Sequence, residues 1–162
     1  MIDLSKGSNF DSYLKKSKEK YGDVQDRAYN NTNLSSNAKN EIKKLDKVIH
    51  AAVFTEGFCP DCIVTIPFIQ KFSEENSNLK VYYMPRTGFE DFLEEAVGSK
   101  SIPTIITFDE DMNPKGAYVE TPKELQEKMT GLPQEERKLI YNDYRNGKYN
   151  DLIEKNLLDI II

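Results

Sequence analysis

Thr55-Glu56-Gly57-Phe58-Cys59-Pro60-Asp61-Cys62 carries the only two cysteines of this 162-residue chain, with two residues between them. Immediately before it, Lys47-Val48-Ile49-His50-Ala51-Ala52-Val53-Phe54 is a near-continuous apolar run with no helical period. Such a run fits a strand buried on both faces, in the middle of an α/β sheet. Immediately after it, from Pro60 to Glu75, Ile63, Ile66, Phe68, Ile69 and Phe72 recur at helical intervals. Pro60 suits the first turn of that helix, where a backbone N–H has no partner to lose. Pro67 lies inside it and predicts a kink.

A pair of cysteines that opens a helix has a definite chemistry. The helix N-terminus offers unpaired N–H groups and the positive end of the dipole. A thiolate is favoured there, and a cysteine pKa of ~8.5 can fall to ~7 or below in such motifs. Cys59, at the end of the loop, is expected to be exposed; Cys62, one turn on, points inward. Cys59 is then the candidate nucleophile on a disulfide, and Cys62 the group that resolves the mixed disulfide. Pro60 stiffens the turn. Asp61 sets a negative charge beside the thiolate, although an acid is itself favoured at a helix start. Zinc requires about four ligands, and only His50 stands beside the pair, so neither a metal nor another cofactor is expected within one chain. A dimer would supply four thiolates. His50, mid-strand, reads as a packed core residue.

Outward from this centre, Asn76-Ser77-Asn78 ends the helix and Leu79–Met84 is the next strand. Strand, helix, strand at this spacing is a βαβ unit with parallel strands and a right-handed crossover. Phe89 to Val97 is a short helix. Ile102–Phe108 is a third strand, rich in β-branched residues. Ala117–Val119 returns as a hairpin after the turn cluster at 109–116. Thr121-Pro122 followed by Glu124 has the form of a capping box. Arg86 and Phe89 follow a parallel strand at its carboxyl end, where ligands gather on open sheets, so they are candidates for a substrate groove or else a solvated loop. Tyr82, Tyr83 and Phe92 read as core.

Both ends are helical. In residues 1–46, Phe10, Tyr13, Leu14, Tyr21 and Val24 mark one helix face, with Ser8 or Asn9 as its cap. Asn30 to Asn37 reads as a loop, and a second helix from about Asn37 to Asp46 turns Ile42 and Leu45 inward. Residues 133–162 read as two helices broken at Gly147, with Leu139, Ile140, Tyr144, Leu152, Ile153, Leu157, Ile160 and Ile161 apolar. Ile160-Ile161-Ile162 is expected to pack on the rest of the chain, with a homodimer contact as the alternative. The whole is read as one domain, with a core of about 48–129.

Composition narrows the function. The formal net charge is −5, with 38% hydrophobic and 30% charged residues. That balance describes a soluble, polar globule with no counterion-release drive toward nucleic acid or an anionic membrane. The apolar runs span a few residues each, against the ~20 that cross a bilayer. The start, Met1-Ile2-Asp3-Leu4-Ser5-Lys6, lacks a basic head before an apolar block, so a cytoplasmic location is expected. In that reducing compartment a lone Cys-x-x-Cys reads as catalytic or metal-binding rather than structural.

The pattern resembles the thioredoxin superfamily. Phe58-Cys59-Pro60-Asp61-Cys62 takes the place of that family's Trp-Cys-Gly-Pro-Cys site. Pro67 matches the kink proline of its active-site helix, and Ser101-Ile102-Pro103-Thr104 matches its Ile-Pro-Thr. Cys59 and Pro103 are 44 positions apart, the spacing of a small thioredoxin. The resemblance implies a three-layer α/β fold: a mixed sheet of parallel βαβ plus antiparallel hairpin, helices on both faces, and extra helices at both termini. It implies a cis Pro103 beside the cysteines and an Ile102 backbone that offers bonds to a substrate peptide. Phe58, Pro60, Asp61, Ile102 and Pro103 then support Cys59 and Cys62. The chain departs from the family at three points: Phe58 replaces tryptophan, Pro60-Asp61 replaces glycine-proline, and the family's buried acid falls on Val53. Glu56 is the next candidate proton acceptor by proximity in sequence.

The implied activity is thiol–disulfide exchange on a protein or small disulfide, with a separate electron donor. The alternative is a redox-sensing or non-catalytic binding module that uses the same groove or the helical ends.

Overall fold

The computed structural model describes residues 2–162. Its four strands, β1 (Ile49–Phe54), β2 (Leu79–Met84), β3 (Thr104–Phe108) and β4 (Pro114–Val119), form one sheet in the order β2-β1-β3-β4. β1 and β2 are parallel, from Ile49 opposite Leu79 to Phe54 opposite Met84. β3 pairs antiparallel with β1 and with β4. Parallel neighbours need a crossover, and the helix Pro60–Glu75 supplies it. β1 is central, which is why its sequence is a continuous apolar run: Ala51, Ala52, Val53 and Phe54 are wholly buried.

Eight α-helices surround the described sheet: α1 (Phe10–Tyr21), α2 (Val24–Asn31), α3 (Ser36–Lys43), α4 (Pro60–Glu75), α5 (Glu90–Val97), α6 (Lys123–Met129), α7 (Gln134–Arg145) and α8 (Asn150–Ile161). Strand alternation assigns them to faces. Thr107, paired with Ala51 and Gly116, donates its hydroxyl to the Ile160 carbonyl at 2.6 Å, so α8 lies on that face. Tyr83, paired with Val53, shares the face, and its hydroxyl reaches Gln70 of α4 at 2.8 Å. Phe10 and Tyr13 of α1 pack their rings on Tyr83 from the same side. Phe54 points the other way. There it meets Phe89 and Phe92, the start of α5. The three layers are present but uneven: α1, α4 and α8 crowd one face.

The terminal helices close down on this framework. Asn9 caps α1 by accepting from the Ser12 amide, and Ser35 caps α3 by accepting from Ala38. The periodic face read through Val24 does not persist, because Gly22 (φ 75°) ends α1 and α2 restarts at Val24. Tyr21 and Val24 are consequently exposed. α2 also runs on to Asn31, so the loop there is shorter than the Asn-rich sequence implies. Leu139, expected on the inner face of α7, is exposed, whereas Ile140 and Tyr144 are buried. Ile160 and Ile161 are buried; Ile162 is not.

The capping box at α6 does not form. Its helix begins at Lys123 without a side-chain cap of its own. The Glu124 carboxylate instead receives Lys155 and Asn156 at 2.8 Å each, and Asn156 Oδ1 accepts from the Lys123 amide. A residue of α8 therefore does the work that Thr121 promised. His50 is half-buried rather than core, with Nδ1 3.0 Å from the Tyr82 hydroxyl. Among the described residues no helix is long and apolar enough to cross a membrane.

Candidate active site

The Cys59 turn is built by the end of β1 and the start of α4. Thr55 prolongs the sheet, its amide donating to the Met84 carbonyl at 3.0 Å. Gly57 then lets α1 come close: a Cβ there would lie 2.8 Å from the Tyr21 ring and 3.0 Å from Ser17 Oγ. Cys59 is the N-cap of α4, in extended conformation, with Pro60 at the first helical position. Its sulfur accepts the Cys62 amide at 3.2 Å, a cap made with sulfur in place of the usual oxygen.

Ile102 and Pro103 lie against this turn from the other side. The Ile102–Pro103 bond is cis, and Cys59 Sγ sits 3.6 Å from the Ile102 carbonyl oxygen. That contact covers Cys59, which is 7% exposed rather than open to solvent as its place in the sequence suggests. The exposed residue is its neighbour Phe58, at 53%, with Tyr21 packed edge-on against it at 6.3 Å between ring centres. Cys62 is wholly buried, and both cysteines are free thiols.

The two thiols ionise very differently. The Cys62 side chain beside it is the largest influence on Cys59 and lowers its pKa; the Cys62 amide adds to this, against burial and the Asp61 charge. Cys62 is pushed far up, first by burial and then by Cys59. The arrangement favours a thiolate at Cys59 and holds the proton on Cys62. The Thr55 hydroxyl and the Glu56 backbone amide act in the opposite direction on Cys62 and ease its ionisation.

Asp61 is not a bare charge. Its carboxylate receives Arg145, the last residue of α7, with Nε at 2.8 Å and Nη2 at 3.4 Å. The Asp61 side chain is 9% exposed and that of Arg145 38%. The bond to Asp61 is the first cause of the raised Arg145 pKa, and the charge of Cys59 adds to it. Behind Asp61, hydroxyls run in series: Tyr118 to Tyr144 at 2.7 Å, Tyr144 to Thr65 at 2.8 Å, and Thr65 to the Asp61 carbonyl at 2.7 Å.

Val53, where the family's acid would stand, is a buried strand residue. The Glu56 carboxylate, the next candidate, accepts the Arg86 amide at 3.0 Å through one of its two oxygens. Phe89 is taken up by Phe54. Among the described residues no group of three or more His, Cys, Asp and Glu is placed to hold a metal ion. Sequence reasoning missed Tyr13, Thr55 and Arg145. Tyr13 was legible as an apolar face of α1, but its hydroxyl, 2.9 Å from Thr55 Oγ1, was not. Arg145 lies 84 positions from Asp61, with no local pattern to join them.

Known proteins give the same picture of the scaffold. A protein of unknown function from Pseudomonas aeruginosa superposes with a TM-score of 0.76 at 20% identity, over 98% of this chain and 93% of its own. An HIV epitope-scaffold protein superposes with a TM-score of 0.76 at 18% identity, over 98% and 94%. These likenesses speak for the fold alone. No curated protein matches the chain. The thioredoxin family model matches residues 7–138, from the segment before α1 into α7. Cysteine turn, cis proline and sheet order all fall inside that match, and the chain belongs to the thioredoxin family.

Proposed function

We propose that the chain is a thiol–disulfide oxidoreductase. The carrying observation is the Cys59 sulfur: it caps α4 through the Cys62 amide while it faces the carbonyl before a cis proline. The Cys59 thiolate attacks one sulfur of a substrate disulfide. A Cys59–substrate bond forms, the substrate S–S bond breaks, and the released sulfur leaves as a thiolate that takes a proton from solvent. Cys62 then gives up its proton and attacks Cys59 Sγ. The Cys59–Cys62 bond forms and the second substrate thiol departs. Two electrons have passed to the substrate, and a dithiol or other two-electron donor restores the pair. Phe58, Pro60, Asp61, Ile102 and Pro103 frame the reacting sulfurs. The substrate class is a protein or small disulfide, and the setting is a reducing cytoplasm, where such a pair turns over.

The test is disulfide reduction with dithiothreitol as donor, comparing wild type with Cys59→Ser. Loss of the catalysed rate in the variant is expected; equal rates would sink the proposal.

A second reading rests on Phe58, an exposed aromatic ring at the loop tip above a covered Cys59. In it the chain binds a partner protein, and the cysteines only report redox state. Partners retained in a pull-down by Cys59→Ser and Cys62→Ser would support this reading, and their complete loss would count against it.

A further inference from the structure

Cys59 lies between two walls. One is its own turn at the start of α4. The other is the segment Ile102-Pro103, whose Ile102 carbonyl sits 3.6 Å from Cys59 Sγ. Cys59 is 7% exposed, so a disulfide reaches the sulfur only where these walls part. Both walls are tied to α7, through Tyr141, Tyr144 and Arg145. The family match ends at residue 138, so all three residues lie beyond it. We propose that α7 is a clip across the two walls, and that its Tyr141–Glu120 bond admits slender disulfides to Cys59 and excludes bulky ones. Tyr141 and Glu120 are then positioning residues that decide substrate size. This proposal rests on the redox-pair reading above.

On the cysteine side the tie is double. Arg145 donates to the Asp61 carboxylate at 2.8 and 3.4 Å, and the Tyr144 hydroxyl lies 2.8 Å from Thr65 Oγ1. Asp61 and Thr65 both belong to α4. On the proline side the tie runs through one residue. The Tyr141 hydroxyl donates to Glu120 Oε1 at 2.9 Å, and the Glu120 amide donates to the Pro103 carbonyl at 2.7 Å. The Arg145 guanidinium stands over the Tyr141 ring, 5.4 Å from its centre, so the two ties are side by side. Tyr144 also meets Tyr118 of β4 at 2.7 Å, which fixes α7 to the body of the sheet. Glu120 lies past the last residue of that strand, Val119.

Glu120 is the sensitive point. Its φ of 66° lies in the left-handed region that few residues other than glycine adopt. The Thr121 amide donates to the Val119 carbonyl at 2.8 Å, which makes Glu120 the centre of a three-residue turn. With positive φ at the centre, such a turn is the strained form. A strained residue persists where its surroundings over-determine it, and such residues cluster at active sites. Gln126 secures the carbonyls on either side, Val119 at 2.7 Å and Thr121 at 3.0 Å. The Glu120 side chain itself is held by Tyr141. Without that bond Glu120 relaxes, its amide leaves the Pro103 carbonyl, and the wall that covers Cys59 loosens.

Alkylation of the reduced protein reads the gap directly. Iodoacetamide and N-benzyliodoacetamide present the same reacting carbon, are both uncharged, and differ in bulk. Rates are taken at a pH above the Cys59 pKa, so that each reports the thiolate, and peptide mapping locates the label on Cys59. The wild type should favour iodoacetamide. In Tyr141→Phe, which keeps the ring over Arg145, and in Glu120→Ala, the N-benzyliodoacetamide rate should rise ~10-fold, the weight of one hydrogen bond to a charged acceptor. The iodoacetamide rate should rise less, so the ratio between the reagents falls. Glu120→Gln keeps an acceptor oxygen for Tyr141 and should keep the wild-type ratio, whereas a role for the Glu120 charge would not survive that change. A ratio unchanged in both Tyr141→Phe and Glu120→Ala, or one that falls equally in Glu120→Gln, overturns the clip. Turnover of hydroxyethyl disulfide with dithiothreitol is followed alongside. Its absence in wild type overturns the redox-pair reading, and the alkylation ratio still decides the clip by itself.

Discussion

Replacing Arg145 by glutamine removes the guanidinium that holds Asp61 and keeps much of the side chain's reach. The cost follows from which partner is hidden. Breaking a fully buried pair costs ~3–5 kcal/mol, because a charge is left without a partner, whereas an exposed pair contributes ~0.2–1 kcal/mol. Here Asp61 is the buried member, at 9% exposure, and Arg145 reaches solvent at 38%. Screening from the Arg145 side and the α4 N-terminus reduces the penalty, which leaves a loss of about 2 kcal/mol. For a chain of this size that is a fall in Tm of ~4–8 °C. Asp61→Asn should cost less, since the arginine it abandons can hydrate. Cys59 supplies a second readout through the ultraviolet absorbance of its thiolate. The Asp61 charge opposes that thiolate and Arg145 favours it. Its pKa should therefore rise in Arg145→Gln, fall in Asp61→Asn, and lie between in the double variant. Urea or thermal melts of the four proteins complete the cycle. Losses that add within ~0.5 kcal/mol would show that the pair is not coupled and would refute the reasoning.

Glu124, bound by Lys155 and Asn156, has its pKa lowered to about 2 from an ordinary 4.5. A lowered folded-state pKa means stability that is fully present above the unfolded value and lost as pH falls toward the folded one. Acid titration of stability from about pH 5 to pH 2 should thus be shallower in Glu124→Gln than in wild type; identical slopes would contradict the assignment. Gly116 of β4 lies beneath α8, where a Cβ would stand 2.9 Å from Ile160 Cγ2 and 3.4 Å from its Cα. Gly116→Ala should cost ~1–3 kcal/mol in a urea melt, as overpacking does, and an unchanged midpoint would mean that α8 shifts freely.

What was legible in the sequence was whatever is decided by neighbours along the chain. Pro60 and Asn76 bound α4, and the apolar run at 48–54 marks the central strand, because local rules of propensity and burial agree there. The cysteine turn and the cis bond at Pro103 were legible because their spacing survives in the family. The rest depended on partners far away. Thr121 and Glu124 form a good capping box in isolation, but Asn156 and Lys155 compete for the same groups once α8 docks. Leu139 fits the apolar period of α7 yet falls outside the contact surface. The exposure expected for Cys59 ignored the Ile102 carbonyl, 43 residues on, which closes over it.

Tyr13 and Arg145 reach the same eight-residue turn from opposite ends of the chain. Substitutions in α1 or α7 can therefore reach the Cys-Pro-Asp-Cys turn without touching its four letters. For the engineer the same fact means that a graft of residues 48–129 moves the motif but leaves its controls behind.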